Sequence, residues 1–452
     1  MPVPPVKSLD RDILRLAVPA LGALVAEPLF LLTDTALVGH LGEVPLAALG
    51  IASAVVQTVI GLLIFLAYAT TPAVARRLGA GDRTGAIRAG IDGLWLALGL
   101  GVVVVLLGLV FARPVVGLFT GATDVAADAV TYLTVSLAGL PAMLLVIAAT
   151  GLLRGLQDTR TPLVVAVAGF AANAGLNALF IYGFGWGIAG SAAGTVVAQW
   201  AMAAVYIVIA VRAARASGAL LRPGLDGVGS AAASGAWLLL RTASLRAAIL
   251  ATVAVAATLG TASLGAFQIA LTLFTTLAFI LDALAIAGQA LIGHGLGAGD
   301  TERVMLVTRR LVRWGLASGV VLGAAVALVA GLGLLGPVFT SSPEVQAALR
   351  VTALAMAVGI PLAGYVFVLD GVLIGAGDSR YLALSGLVNV AIYAPLLVLV
   401  LLFAPGGGDD AALVWLWAAF GYGYLGARAL TLGLRARSGR WIVAGASAAE
   451  PA

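Results

Sequence analysis

Two carboxylates stand inside one apolar run. Residues 23–42 read ALVAEPLFLLTDTALVGHLG and carry Glu27 and Asp34. So long an apolar run predicts a membrane-spanning helix. Ionisable side chains within such a helix are costly and mark pathways for ions, protons or substrate. A spacing of seven residues is two helical turns, so both acids can share one face about 10 Å apart along the axis. Pro28 lies between them and can kink the helix there. The competing reading is that both are buried and only hydrogen-bonded to neighbouring helices.

Other polar side chains interrupt apolar segments. Asn173 and Asn177 are four apart and fall on one helix face. Either could instead be interhelical glue. Asp282 sits in FILDALAIAGQ and Asp370 in YVFVLDGVLIG, nearer a cytoplasmic end. Gln57, Gln199, Gln268 and Gln289 are neutral amides. Tyr68, Tyr365 and Tyr393 either line a cavity or belong to the interfacial aromatic belt. The candidate coupling set is therefore Asp34, Glu27, Asp282 and Asp370, and the candidate cavity set Asn173, Asn177, Gln57 and Tyr68. Arg241 and Arg246 are the basic exceptions in the membrane interior and are expected to snorkel to the surface. A cavity with carboxylates and few cations favours cationic substrates.

The elements that must position these residues are helices in lipid. Of 452 residues, 62% are hydrophobic and 10% charged, and the mean hydropathy is +1.11. These values exclude an ordinary soluble protein. The 58 glycines suit close helix packing in a bilayer. With no cysteine there is no disulfide, thiolate metal site or Cys nucleophile. The polar, Pro-rich start MPVPPVKSLDRD is not followed by a cleavable apolar core, so no cleaved signal peptide is expected.

Twelve spans are predicted, near residues 12–38, 45–71, 89–112, 125–152, 160–183, 187–211, 236–259, 264–292, 307–335, 345–374, 381–404 and 411–434. Basic residues gather in alternate connections. Lys7, Arg11 and Arg15 precede span one, and Arg76, Arg77, Arg83 and Arg88 follow span two. Arg154 and Arg160 flank the turn after span four. Arg303, Arg309, Arg310 and Arg313 follow span eight, Arg380 follows span ten, and Arg435, Arg437 and Arg440 follow the last. Arg113 and Arg350 alone fall on the other side. The asymmetry predicts both termini in the cytoplasm of a cell or inner-membrane protein, and accounts for a net charge of +5 without a nucleic-acid partner.

The halves repeat. LGAGD at 78–82 recurs at 296–300, and GLLRGLQD at 151–158 recurs as GVLIGAGD at 371–378. Phe119-Thr120, followed by Pro141, recurs as Phe339-Thr340, followed by Pro361. The offset is 218 to 220 residues throughout. An offset of six spans predicts a parallel repeat, with sites near the midplane. The expected organisation is an N-lobe at 1–216, a cytoplasmic linker at 217–235, a C-lobe at 236–440 and a cytoplasmic tail at 441–452.

Several motifs are set aside. GWGIAG at 185–190 fits GxGxxG but follows no strand. LGAGD lacks the Lys–Ser/Thr of a phosphate cradle and reads as a turn. His40 and His294 have no metal-ligand company. No catalytic constellation argues for a membrane enzyme.

FLLTDTALVGHLG, RRLGAGD, GLLRGLQDTRTP, NAGLN, GFGWGIAGSAAGTVVAQ and DGVLIGAGDSR together resemble the multidrug and toxic compound extrusion (MATE) transporters, and the DinF-like branch in particular. The likeness covers nearly the whole chain. It implies two six-helix lobes in a V-shape and cation-coupled export by alternating access. It also implies that Asp34 is the protonation site, with Asn173 and Asn177 in the same N-lobe cavity. Some relatives carry Asp where this chain has Asn177, which leaves one fewer titratable group there. Asp370 resembles a C-lobe acid that other branches use with cations.

The reading is an all-α integral membrane protein of twelve helices. It is expected to be a monomeric antiporter, coupled to H⁺ or Na⁺ with no other cofactor, exporting organic cations or amphipathic compounds. Its expected partners are small drug-like molecules and membrane lipids. The alternative is a lipid-linked or polysaccharide flippase, which should line its cavity with Arg or Lys.

Overall fold

The computed structural model describes residues 6–403 and 409–446. The connection between predicted spans eleven and twelve, and both chain ends, lie outside the described residues. Twelve helical segments follow one another. They are α1 (Val6–Gly39), α2 (Glu43–Gly79), α3 (Arg83–Gly117), α4 (Thr123–Leu137 with Leu140–Gly155), α5 (Arg160–Gly183) and α6 (Gly187–Ser217). The second series is α7 (Leu225–Thr258), α8 (Thr261–Gly297), α9 (Thr301–Gly331), α10 (Pro343–Gly375), α11 (Ser379–Phe403) and α12. The last comprises Asp409–Ala418, a π turn Ala419–Tyr424, and Leu425–Ser438. Among the described residues, ten helices are long and apolar enough to cross a membrane, or eleven when the two parts of α4, bent by 50°, count as one. The predicted twelfth span falls on α12, which breaks at its π turn and carries arginine in its second part.

Two compact units form. One is Val18–Gly235; the other gathers the chain up to Ala17 with Ala236–Ala444. The first turns of α1 thus sort with the C-terminal half rather than the N-lobe. Asp10 explains why: it accepts from Arg310 Nε at 2.6 Å and from Trp314 Nε1 at 2.9 Å. The linker is also shorter than expected, since α7 already begins at Leu225.

Each unit has the same hub. In one, α4 packs on α2 and α3; in the other, α10 packs on α8 and α9. The connecting motifs repeat as turns. In both copies of LGAGD the second glycine takes a left-handed conformation, φ 81° at Gly81 and 72° at Gly299, which suits a residue without Cβ. The following acid caps the next helix. Asp82 accepts from Gly85 N at 2.7 Å and Asp300 from Arg303 N at 2.9 Å. In the later repeat the left-handed position itself differs: Gly377 has φ 76°, whereas its counterpart Gln157 adopts φ 62° with a side chain present.

Candidate functional site

The N-terminal unit builds a site around Asp34. Pro19 and Pro28 interrupt the hydrogen-bond ladder of α1, and the ring at Pro28 leaves the Leu24 carbonyl without its usual helical donor. Thr33 and Thr35, beside Asp34, return their hydroxyls to the Leu29 and Leu31 carbonyls, each at 2.8 Å. This satisfies both in lipid and favours bending of the helix.

Asp34 is 4% exposed. Its Oδ1 accepts from Ser191 Oγ at 2.6 Å and from Asn177 Nδ2 at 2.8 Å, while Oδ2 accepts from Tyr132 OH at 3.3 Å. All three partners are neutral donors. Asn177 sits just before the π turn at Leu179–Gly183 of α5, a departure from α-helix of the kind found at functional sites. Within that turn, Tyr182 OH donates to the Leu37 carbonyl of α1 at 2.6 Å. Ser191 and Thr195 come close because α6 presents small residues to α5. A Cβ at Gly190 would stand 2.8 Å from the Phe180 carbonyl carbon, and one at Gly194 2.9 Å from Asn177 N. Only glycine permits that approach. Asn173 uses it too, donating to Thr195 Oγ1 at 3.0 Å.

A cavity of about 70 Å³ opens beside this cluster. Glu27, Asp34, Gln57, Asn173, Thr195 and Gln199 supply its polar wall. Phe30 and Phe170 stack at 5.1 Å on the apolar side, near Met143 and Met202. Glu27 is half-buried, and no described residue hydrogen-bonds to it. Of the expected cavity residues, Asn173 and Gln57 line it. Asn177 stands behind Asp34, and Tyr68 is not among the lining residues.

The other two candidate acids belong to the C-terminal unit. Asp282 is half-buried on α8. Asp370 on α10 is held by two arginines. Arg241 grips it with Nε at 3.1 Å from Oδ1 and with Nη2 on Oδ2, and Arg428 Nη2 donates to Oδ1 at 3.0 Å. Each of the three is 7% exposed. The expected snorkelling of Arg241 is therefore corrected: a buried carboxylate on a neighbouring helix takes its guanidinium. Arg246 is exposed.

Sequence reasoning missed Tyr132, Ser191, Thr195 and Arg428 as site residues. Hydroxyls carry no signal in a bilayer segment, because they can always bond the preceding turn. Arg428 was detectable, being a charge well inside predicted span twelve.

The sequence profile of the MatE family matches residues 19–179 and 243–402, one stretch in each half. The chain is 31% identical over 416 residues to "Protein DETOXIFICATION 44, chloroplastic" of Arabidopsis thaliana, covering 88% of this chain and 78% of that one. It is 29% identical to "DNA damage-inducible protein F" of Escherichia coli strain K12, covering 97% and 95%. A crystal structure of the Vibrio cholerae MATE transporter VcmN in the bent form superimposes with a TM-score of 0.85, at 21% identity and over 96% and 99% of the two chains. By the double profile match and the shared helical fold, this multi-pass membrane protein belongs to the MATE family of multidrug transporters.

Proposed function

We propose that the protein exports organic cations or amphipathic compounds in exchange for protons, with Asp34 as the coupling site. The observation that carries this reading is a buried carboxylate held by neutral donors alone, next to a cavity with a second acid. In apolar surroundings an ionised carboxylate is costly unless a proton or a cation joins it. Proton and substrate cation then compete for one site, which is the requirement for exchange. The stacked phenylalanines, methionines and amides suit the apolar body of such a cation.

The hydrogen bonds suggest how occupancy could move helices. Three donors aimed at Asp34 satisfy its ionised form. A proton on Asp34 adds a donor that needs an acceptor. The Asn177 Oδ1 atom is buried and has no hydrogen-bond partner, so half a turn of its amide would supply one. Such a change would loosen the tie between α5 and α1, and Pro28 is the place where α1 would bend. A cavity of about 70 Å³ is well below the few hundred Å³ of a ligand pocket and must expand to take substrate, so the cycle alternates between a contracted and an expanded cavity.

The rival flippase reading calls for a cation-lined cavity, and the residues lining this one include neither Arg nor Lys. The direct test is drug-stimulated proton flux in proteoliposomes. Proton movement on drug addition is expected; drug-stimulated sodium flux instead would reassign the coupling ion, and neither flux would end the antiporter reading. Both termini are proposed to be cytoplasmic in a cell or inner membrane. Reporters at the C-terminus and at residues 404–411 should then lie on opposite sides.

A further inference from the structure

Asp34 and Glu27 line one cavity, but the protein provides for them differently. Asp34 is 4% exposed and accepts three hydrogen bonds, from Tyr132, Asn177 and Ser191. Glu27 is half-buried, and no described residue donates to it. The amides that share its cavity, Gln57 and Gln199, carry no charge, and neither Arg nor Lys lines the wall. An ionised carboxylate without donors inside a membrane helix is costly. A cation arriving through the cavity removes that cost.

A second, independent feature lies beside it. Glu27, Phe30, Leu31 and Asp34 all line the cavity, and steps of three, four and seven residues put them on one face of α1. Phe30 therefore stands between the two acids. Its ring stacks on Phe170 of α5 at 5.1 Å, with 17° between the planes. The pair forms a flat apolar wall one helical turn from the Glu27 carboxylate. Aromatic rings attract both flat rings, by stacking, and cations, through their negative faces. A carboxylate without donors next to such a wall, with no basic side chain in the cavity lining, is the complement of a flat aromatic ring that bears a positive charge.

From this geometry we propose that Glu27 selects the substrate: it pairs with the charge of an aromatic cation whose ring lies against Phe30, while Asp34 keeps its three donors and handles the proton. The assignment rests on the export reading and narrows its substrates to flat aromatic cations. The ring enters once the cavity has expanded. A cation held at Glu27 lies in the cavity that Asp34 also lines, so it favours the ionised form of Asp34, and exchange of proton for substrate is preserved. Selection is then by charge as well as by shape. A neutral ring of the same outline meets the same wall but leaves Glu27 without a partner.

The test is isothermal titration of the full-length protein in lipid nanodiscs at pH 8 with 1-methylquinolinium, a permanent cation, and with quinoline, a neutral ring of nearly the same outline. Empty nanodiscs supply the background. Wild-type protein should bind the cation saturably and quinoline about tenfold more weakly or worse. Glu27→Gln should weaken cation binding by about tenfold or more, the effect of losing an opposite charge in a poorly solvated site, and leave quinoline unchanged. If Glu27→Gln does not fold, Glu27→Asp, which withdraws the carboxylate by one methylene, should weaken the cation several-fold and again spare quinoline. No saturable binding of the cation to folded wild-type protein would overturn the proposal. So would cation binding that the Glu27 variants leave unchanged, or an equal loss of both probes. Asp34→Asn separates this assignment from the coupling reading: it should still bind the cation. Loss of cation binding in Asp34→Asn, with Glu27→Gln unaffected, would move the cation to Asp34 and leave proton coupling standing.

Discussion

Two of the buried carboxylates, Asp34 and Asp370, sit in opposite electrostatic company. Asp34 meets two hydroxyls and an amide; Asp370 meets two guanidinium groups. No charged side chain pairs with the first, which is why it is the one proposed to exchange a proton or cation. The second is permanently neutralised, and removing it would strand two cations. The repeat sharpens the contrast. At an offset of 218 the counterpart of Asp34 is Thr252, whose hydroxyl shares a 2.7 Å hydrogen bond with Tyr393. Where the N-terminal unit has a cavity, the C-terminal unit packs aromatic rings: Phe267, Trp417, Phe420 and Tyr424 belong to its core. Trp417 and Phe420 meet edge-on at 5.7 Å. Around Asp34 the surroundings are a polar opening, and around its counterpart Thr252 they are packed aromatic rings.

The largest effect should come from breaking the filled side. Asp370→Asn leaves two buried arginines without a carboxylate and should cost about 3–5 kcal/mol, read as a large drop in the melting temperature of the purified protein. Asp34→Asn, facing neutral donors, should cost only about 1–2 kcal/mol. Equal losses would erase the distinction between the two acids. The arginines that the sequence groups together should separate next. Arg241→Ala should destabilise by about 3 kcal/mol or more, and the exposed Arg246→Ala by less than about 0.5 kcal/mol. Among the Asp34 partners, bond length sets the order. Ser191→Ala should slow export by about tenfold and Tyr132→Phe by about threefold, measured at matched protein levels. The smallest effect belongs to the repeat turns. Gln157→Gly, copying Gly377, should raise stability by about 1 kcal/mol by relieving a left-handed side-chain residue.

Much of the architecture was legible because lipid imposes simple rules. Long apolar runs and alternating basic connections marked helices, and the LGAGD and GLLRGLQD copies marked the repeat. Asp34, Glu27, Asn173 and Gln57 were legible as polar interruptions, and they do share one cavity. The partners of Asp34 were not legible. Ser191 and Thr195 reach the site only through the close approach at Gly190 and Gly194, and Tyr132 comes from a helix 98 positions away in sequence. The state of Asp370 was hidden for a related reason. Whether a membrane arginine snorkels or pairs depends on which face it shows, and that is set by packing. The early start of α7 escaped because polar residues of the expected linker continue the helix without a break.

Substrate efflux driven by an imposed pH gradient, in proteoliposomes with matched amounts of protein, tests the central claim most directly. Wild-type protein should export a lipophilic cation when the gradient is applied. Asp34→Asn, which imitates the neutral carboxyl with little change in size, should insert and fold yet show no gradient-driven efflux. Efflux by Asp34→Asn at the wild-type rate would contradict the account and remove the coupling site from the N-terminal unit.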